Sequence, residues 1–83
     1  MEKKKILITG GLGFIGSNLA KKSLEENFEV TLLSESNKKI KNIKGIENKV
    51  ELILKDIKDI GEEVKDKDYI FHLASTVDNY NIN

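Results

Sequence analysis

Six glycines occur in a chain of 83 residues, and four of them fall between positions 10 and 16. Such a cluster can cradle a phosphate. One glycine permits a tight bend, one lets the backbone approach a pyrophosphate, and one allows a helix to pack closely on a strand. Backbone N–H groups at the start of that helix then face the anion. The spacing reads in two ways, as Gly11-x-Gly13-x-x-Gly16 or as Gly10-x-x-Gly13-x-x-Gly16 preceded by Thr9. No Gly-Lys-Ser or Gly-Lys-Thr follows, so the cation that a nucleoside-triphosphate loop sets against the β and γ phosphates is missing. Other reactive chemistry is sparse. His72 is the lone histidine, too few soft ligands for a transition-metal site, and is read as a strand residue. The absence of cysteine removes disulfides, thiolate zinc sites and cysteine nucleophiles together.

The elements that would position the glycine cluster follow from hydrophobic pattern. Ile6, Leu7 and Ile8 form a continuous apolar run between lysines and glycines, as in a central parallel strand buried on both faces. From Phe14 the period becomes helical, with Phe14, Ile15, Leu19, Ala20 and Leu24 assigned to one apolar face and Asn27 as a left-handed stop. Phe28 to Leu33 reads as a second strand, which completes a βαβ unit with a right-handed crossover. Residues 34–49 carry isoleucines at 40, 43 and 46, a spacing that predicts a helical or 3₁₀ turn on the sheet edge. Val50 to Leu54 is a third strand, Lys55 to Ile57 a loop, and Lys58 to Lys65 a short helix interrupted at Gly61. Tyr69 to Ala74 is a fourth strand. Strands alternating with helical patterns predict an α/β fold with a parallel sheet.

Composition narrows the partners. Fourteen basic residues balance 14 acidic ones, so no net field favours nucleic acid, and Lys3 to Lys5 is read as solvated surface. The apolar run before the glycines is too short for a signal-peptide core or a membrane span. A cytoplasmic setting is the default expectation, within at most one small domain.

The stretch Thr9-Gly-Gly-Leu-Gly-Phe-Ile-Gly16 resembles the first loop of the extended short-chain dehydrogenase/reductase family, the NAD(P)-dependent epimerases and dehydratases that mostly act on nucleotide sugars. Lys55-Asp56-Ile57 is similar to that family's adenine-binding segment after the third strand, and Phe71 to Ser75 to the segment that ends its fourth strand beside the cofactor. The resemblance implies a Rossmann-like, partial doubly wound parallel sheet of about four strands in the order 3-2-1-4. It selects Gly10, Gly13 and Gly16 as phosphate glycines, with Phe14 and Ile15 offering backbone N–H groups. Asp56 and Ile57 would bracket the adenine, and Leu73, Ala74 and Ser75 would line the path to the reactive ring. Where an NAD enzyme ends its second strand with an acid for the ribose diol, this chain has Ser34, followed by Glu35 and then by Lys38 and Lys39. NAD and NADP are both open, with a slight preference for NAD because Glu35 can substitute.

The resemblance also implies a catalytic Tyr-x-x-x-Lys; Tyr69 has Leu73 four positions on, Tyr80 would need a residue beyond Asn83, and no Tyr-x-x-x-Lys occurs within residues 1–83. Residues 1–83 are therefore expected to be the N-terminal part of a dinucleotide-binding domain, with a nucleotide sugar as substrate only in intact relatives. An early-ending reading frame would explain this. The fourth strand would then be an unpaired apolar edge, open to self-association. A non-enzymatic binding or docking module and an inactive remnant are the alternatives.

Overall fold

The computed structural model describes residues 3–73. Its sheet has four strands, β1 (Lys5–Thr9), β2 (Glu29–Ser34), β3 (Val50–Leu54) and β4 (Tyr69–His72), in the order β3-β2-β1-β4. All three pairings are parallel, with Ile6 opposite both Val30 and Tyr69, and Leu32 opposite both Ile8 and Leu52. This is the order and fold class read from the sequence.

Hydrophobic burial fixes β1 at the centre. Ile6, Leu7 and Ile8 are almost wholly buried, each contributing about 1.5–3 kcal/mol by removal from water. Alternation along the strands divides the sheet into two faces. Ile6, Ile8, Val30 and Leu32 join Leu12, Ala20 and Ile43 in one core cluster beneath α1 (Phe14–Glu25). Leu7, Thr9, Thr31 and Leu33 face the other way and are also buried. With strands in this order, a right-handed β3-to-β4 crossover, the rule for parallel connections, runs on the side of the sheet opposite α1.

Helix α1 sits on the sheet through small side chains. Gly16, Ser17, Ala20 and Ser23 are its buried residues, flanked by the half-buried Leu19 and Leu24. The apolar face predicted to include Phe14 and Ile15 is corrected here, because these residues are 78% and 67% exposed. Close approach of helix to strand needs small residues at the contact, so the buried arc centres on Gly16, Ala20 and Ser23 instead of the largest apolar side chains. The helix stops as expected. Asn27 is left-handed at φ 69°, its N–H donates to Leu24 O at 3.0 Å, and the Phe28 N–H donates to Ser23 O at 2.9 Å. Both bonds satisfy carbonyls that a helix end otherwise leaves orphaned.

The connections depart from expectation in detail. Two 3₁₀ turns, Ile40–Ile43 and Glu47–Lys49, link β2 to β3, and Ile43 enters the central core instead of lying along the sheet edge. The predicted helix from Lys58 to Lys65 is instead a pair of 3₁₀ turns, Ile57–Asp59 and Glu62–Val64, on either side of Gly61. Strand β2 is shifted by one residue, to Glu29–Ser34, and Phe28 stacks on Tyr69 with ring centroids 5.8 Å apart.

Polar contacts fasten the outer strand and the connection before it. The Lys5 N–H donates to Asp68 Oδ2 at 2.7 Å, and the Asp68 N–H donates back to Lys5 O at 2.8 Å. The Lys55 ammonium meets Glu63 at 2.6 Å, and that hydrogen bond, helped by the Gly61 N–H, holds the Glu63 carboxyl down at about 2. Bonds from Lys67 and Lys5 hold Asp66 at about 2 as well.

Candidate functional site: a glycine turn and the loop after β2

The C-terminal ends of β1 and β2 and the start of α1 converge on one edge of the sheet. The chain leaves β1 through Gly10, left-handed at φ 74°, where its N–H donates to Leu33 O at 2.8 Å; the Gly11 N–H donates to the same carbonyl at 3.2 Å. The turn is thereby hooked over the end of β2. It closes with a Gly13 N–H bond to Gly10 O at 3.1 Å, and α1 begins with the Ser17 N–H bonded to Gly13 O at 2.8 Å.

The glycines differ in what demands them. A Cβ at Gly16 would lie 2.3 Å from Gly10 O and 2.9 Å from Gly11 Cα, both backbone atoms, so packing of helix on turn requires glycine. A Cβ at Gly11 would fall 2.7 Å from Leu32 Cβ, a conflict with the core. Gly13 is different. Its backbone, φ −71° and ψ 174°, suits any residue, and an added Cβ would meet the chain only at Gly10 O, 3.4 Å away. Nothing within the fold asks for glycine there, whereas close approach of a ligand would.

Gly13 is also the N-cap of α1, and no side chain caps this end or places an acid in its first turn. The first N–H groups of a helix have no intrahelical acceptor, and the helix dipole adds partial positive charge at the same point. An anion fits such a cradle. The turn opens on a cleft of about 320 Å³ that runs from Gly10 and Gly13 to Ser34, Glu35, Lys38 and Lys39, with Leu73 on its wall.

The cleft thus brings together five of the residues singled out in the sequence: Gly10, Gly13, Ser34, Glu35 and Leu73. Phe14, Ile15 and Gly16 stand beside it in the first turn of α1. Asp56 and Ile57 lie outside its lining, although on the same sheet edge, where the Lys55 N–H donates to Ser34 O at 2.9 Å. Asp56 caps the following 3₁₀ turn by accepting from the Lys58 N–H at 3.0 Å. Ala74 and Ser75 lie outside the described residues. His72 belongs to β4, with Nδ1 3.3 Å from the Thr9 hydroxyl. One contributor was not legible in the sequence. Asn42 Nδ2 donates to Leu12 O at 2.7 Å and ties the segment after β2 to the glycine turn. Its polar side chain between isoleucines carries no local sign of that bond. Among the described residues, no group of three or more His, Cys, Asp or Glu side chains could hold a metal ion, and no helix is long and apolar enough to cross a membrane.

A parallel sheet in this order, with a glycine turn feeding a helix N-terminus at its carboxyl edge, defines a Rossmann-like nucleotide-binding architecture. Residues 6–83 match the family model for the NAD dependent epimerase/dehydratase family, and the chain belongs to that family. It is 38% identical over 76 residues to a putative UDP-glucose 4-epimerase of Methanocaldococcus jannaschii, an alignment that covers 87% of this chain and 24% of that protein. Its structure resembles ADP-L-glycero-D-manno-heptose-6-epimerase of Helicobacter pylori with a TM-score of 0.73 at 34% identity, covering 99% of this chain and 30% of the other. It also resembles dTDP-glucose 4,6-dehydratase of Bacillus anthracis, solved in complex with NAD, with a TM-score of 0.75 at 25% identity, covering 87% and 27% of the two chains. The chain spans about a quarter of the length of the relatives it matches.

Proposed function

We propose that this chain forms the dinucleotide cradle of a nucleotide-sugar epimerase or dehydratase and lacks that enzyme's Tyr-x-x-x-Lys pair. The observation that carries the reading is Gly13, a glycine the fold itself does not need, at an uncapped helix N-terminus facing a cleft. In this reading the pyrophosphate lies against Gly10, Gly13 and Gly16, and the Phe14 and Ile15 N–H groups donate to it. Ser34 and Glu35 face the adenosine ribose. Asp56 and Ile57 bracket the adenine, and Leu73 lines the path toward the nicotinamide, with Ala74 and Ser75 as further candidates for cofactor contact. When bound, the nicotinamide accepts and returns a hydride, with a nucleotide sugar as its partner in the intact enzyme. The cytoplasm, where reduced and oxidised dinucleotides are abundant, is the matching compartment.

The test is a titration of ¹⁵N-labelled chain with NAD and NADP followed by amide chemical shifts. Gly13, Phe14 and Ile15 should shift most. No movement of these amides at millimolar dinucleotide would refute the cradle.

A second reading is favoured by β4, whose four residues are all exposed, Tyr69 and Phe71 at 47% and 43%. An outer strand with apolar side chains on both faces is a template for pairing. In this reading the chain is a docking module that associates with itself through β4. Light scattering after size exclusion separates the two readings, since a docking module should have a defined stoichiometry above one.

A further inference from the structure

We infer that the cleft selects the 2′-phosphorylated dinucleotide, NADP over NAD, with Lys38 and Lys39 as the specificity-determining residues. This rests on the cradle reading above and departs from the slight preference for NAD expected at Glu35.

The position at which a ribose diol would meet a bidentate carboxylate, the last residue of β2, is Ser34. Its hydroxyl donates to Ser36 O at 2.8 Å, which commits its proton to the loop. The diol therefore loses its usual anionic partner, and a phosphate meets no negative charge at this point. Farther along the same cleft stand one carboxylate, Glu35, and two ammonium groups, Lys38 and Lys39. Neither lysine joins an ion pair among the described residues.

The lysines are also held in place. They immediately precede the 3₁₀ turn Ile40–Ile43, which is fixed at two points: Ile43 is 1% exposed within the core cluster, and Asn42 bonds Leu12 O in the glycine turn. The backbone that carries the cations is thus attached to the backbone that would carry the pyrophosphate. This keeps the backbone at Lys38 and Lys39 beside the cleft that both residues line. Each solvent-exposed ammonium–phosphate contact is worth a modest amount, and two of them against one glutamate give a preference of about five- to tenfold.

The experiment is calorimetric titration of the 83-residue chain with NADP and with NAD, repeated for K38Q/K39Q and for E35Q. All three sites are exposed, so the variants should fold, which circular dichroism checks. NADP should bind about five- to tenfold tighter than NAD at roughly 0.05 M salt, and the ratio should shrink toward one as salt approaches 1 M. K38Q/K39Q should bring the ratio to about one at low salt, and E35Q should widen it. NAD binding as tight as NADP, or a ratio unmoved by K38Q/K39Q, would overturn the inference while leaving the cradle intact. Failure of the chain to bind either dinucleotide would overturn the cradle reading, and this inference with it.

Discussion

Replacing Gly13 and Gly16 separately by alanine divides what the glycine turn does for folding from what it does for a ligand. At Gly16 the new methyl carbon would stand 2.3 Å from Gly10 O and 2.9 Å from Gly11 Cα. A carbon needs more than 3 Å from either, and both are backbone atoms, so α1 must lift by close to an ångström off the turn. Overpacking of this kind costs about 3 kcal/mol. For a domain of this size that lowers Tm by at least about 12 °C. At Gly13 the methyl meets only Gly10 O, at 3.4 Å, from a backbone conformation open to alanine. Alanine is a poorer N-cap than glycine by some tenths of a kcal/mol, but it also restricts the unfolded chain by about 0.4–1 kcal/mol. The two effects nearly cancel, and Tm should move by less than about 4 °C.

Ligand binding should respond in the opposite order of cleanness. Gly13→Ala leaves a folded protein whose cradle is filled by a methyl group, and the displaced pyrophosphate should lose at least about tenfold in affinity, roughly 1.4 kcal/mol. Thermal melts by circular dichroism and dinucleotide titration, performed on both variants, supply the two readouts. If Gly13→Ala destabilised the chain as much as Gly16→Ala, or bound dinucleotide as well as the parent, the assignment of Gly13 to a ligand would be wrong.

Three further outcomes follow from named contacts. Asn42→Ala removes the 2.7 Å bond to Leu12 O and should cost about 1 kcal/mol, seen as a Tm lower by about 4–8 °C, and under the inferred NADP selectivity it should also bring the NADP-to-NAD affinity ratio closer to one by releasing the segment that carries Lys38 and Lys39. Glu63 and Asp66 have folded pKa values of about 2 because Lys55 bonds the first and Lys67 and Lys5 bond the second, so their ion pairs contribute fully above the ordinary carboxylate values of 4.5 and 3.8 and are lost as pH falls toward 2. Melts from pH 6 to pH 2 should show that decline, and Glu63→Gln should flatten it; an equally steep decline in the variant would remove Glu63 as a cause. Phe71→Lys sets a charge on the open β4 strand, 43% exposed at this residue, and should lower any association seen by light scattering without lowering helix content.

The sheet was legible because its strands are short, apolar and bounded by charge or glycine, and because a βαβ unit admits essentially one handedness. Ile6 to Ile8 could hardly be anything but a buried central strand. The stop at Asn27 was equally local: a left-handed residue after the last periodic position. The rotation of α1 was not local. Hydrophobicity alone assigned Phe14 and Ile15 to the core, while the helix is turned by the contact between Gly16 and Gly10 O, a constraint visible only when the turn is folded. The crossover segments failed for a related reason. Period-three isoleucines signal a turn, but Ile43 reaches the core because Asn42 fastens its segment to Leu12, 30 residues away in sequence.

The same distinction bears on the candidate site. Residue types at Gly13, Ser34 and Glu35 were readable one by one, and for cofactor choice they pointed slightly to NAD. What the fold adds is adjacency: one cleft holds the glycine turn, the neutral end of β2 and two lysines whose backbone is tied to that turn. Charge in a cleft acts through its sum and its distance from the ligand, not through the identity of the first polar residue after a strand. Glu35 by itself argues for a diol. Under the inference above, Lys38 and Lys39, likewise exposed but two in number and borne on a segment tied down by Asn42 and Ile43, add two positive charges against that one negative charge.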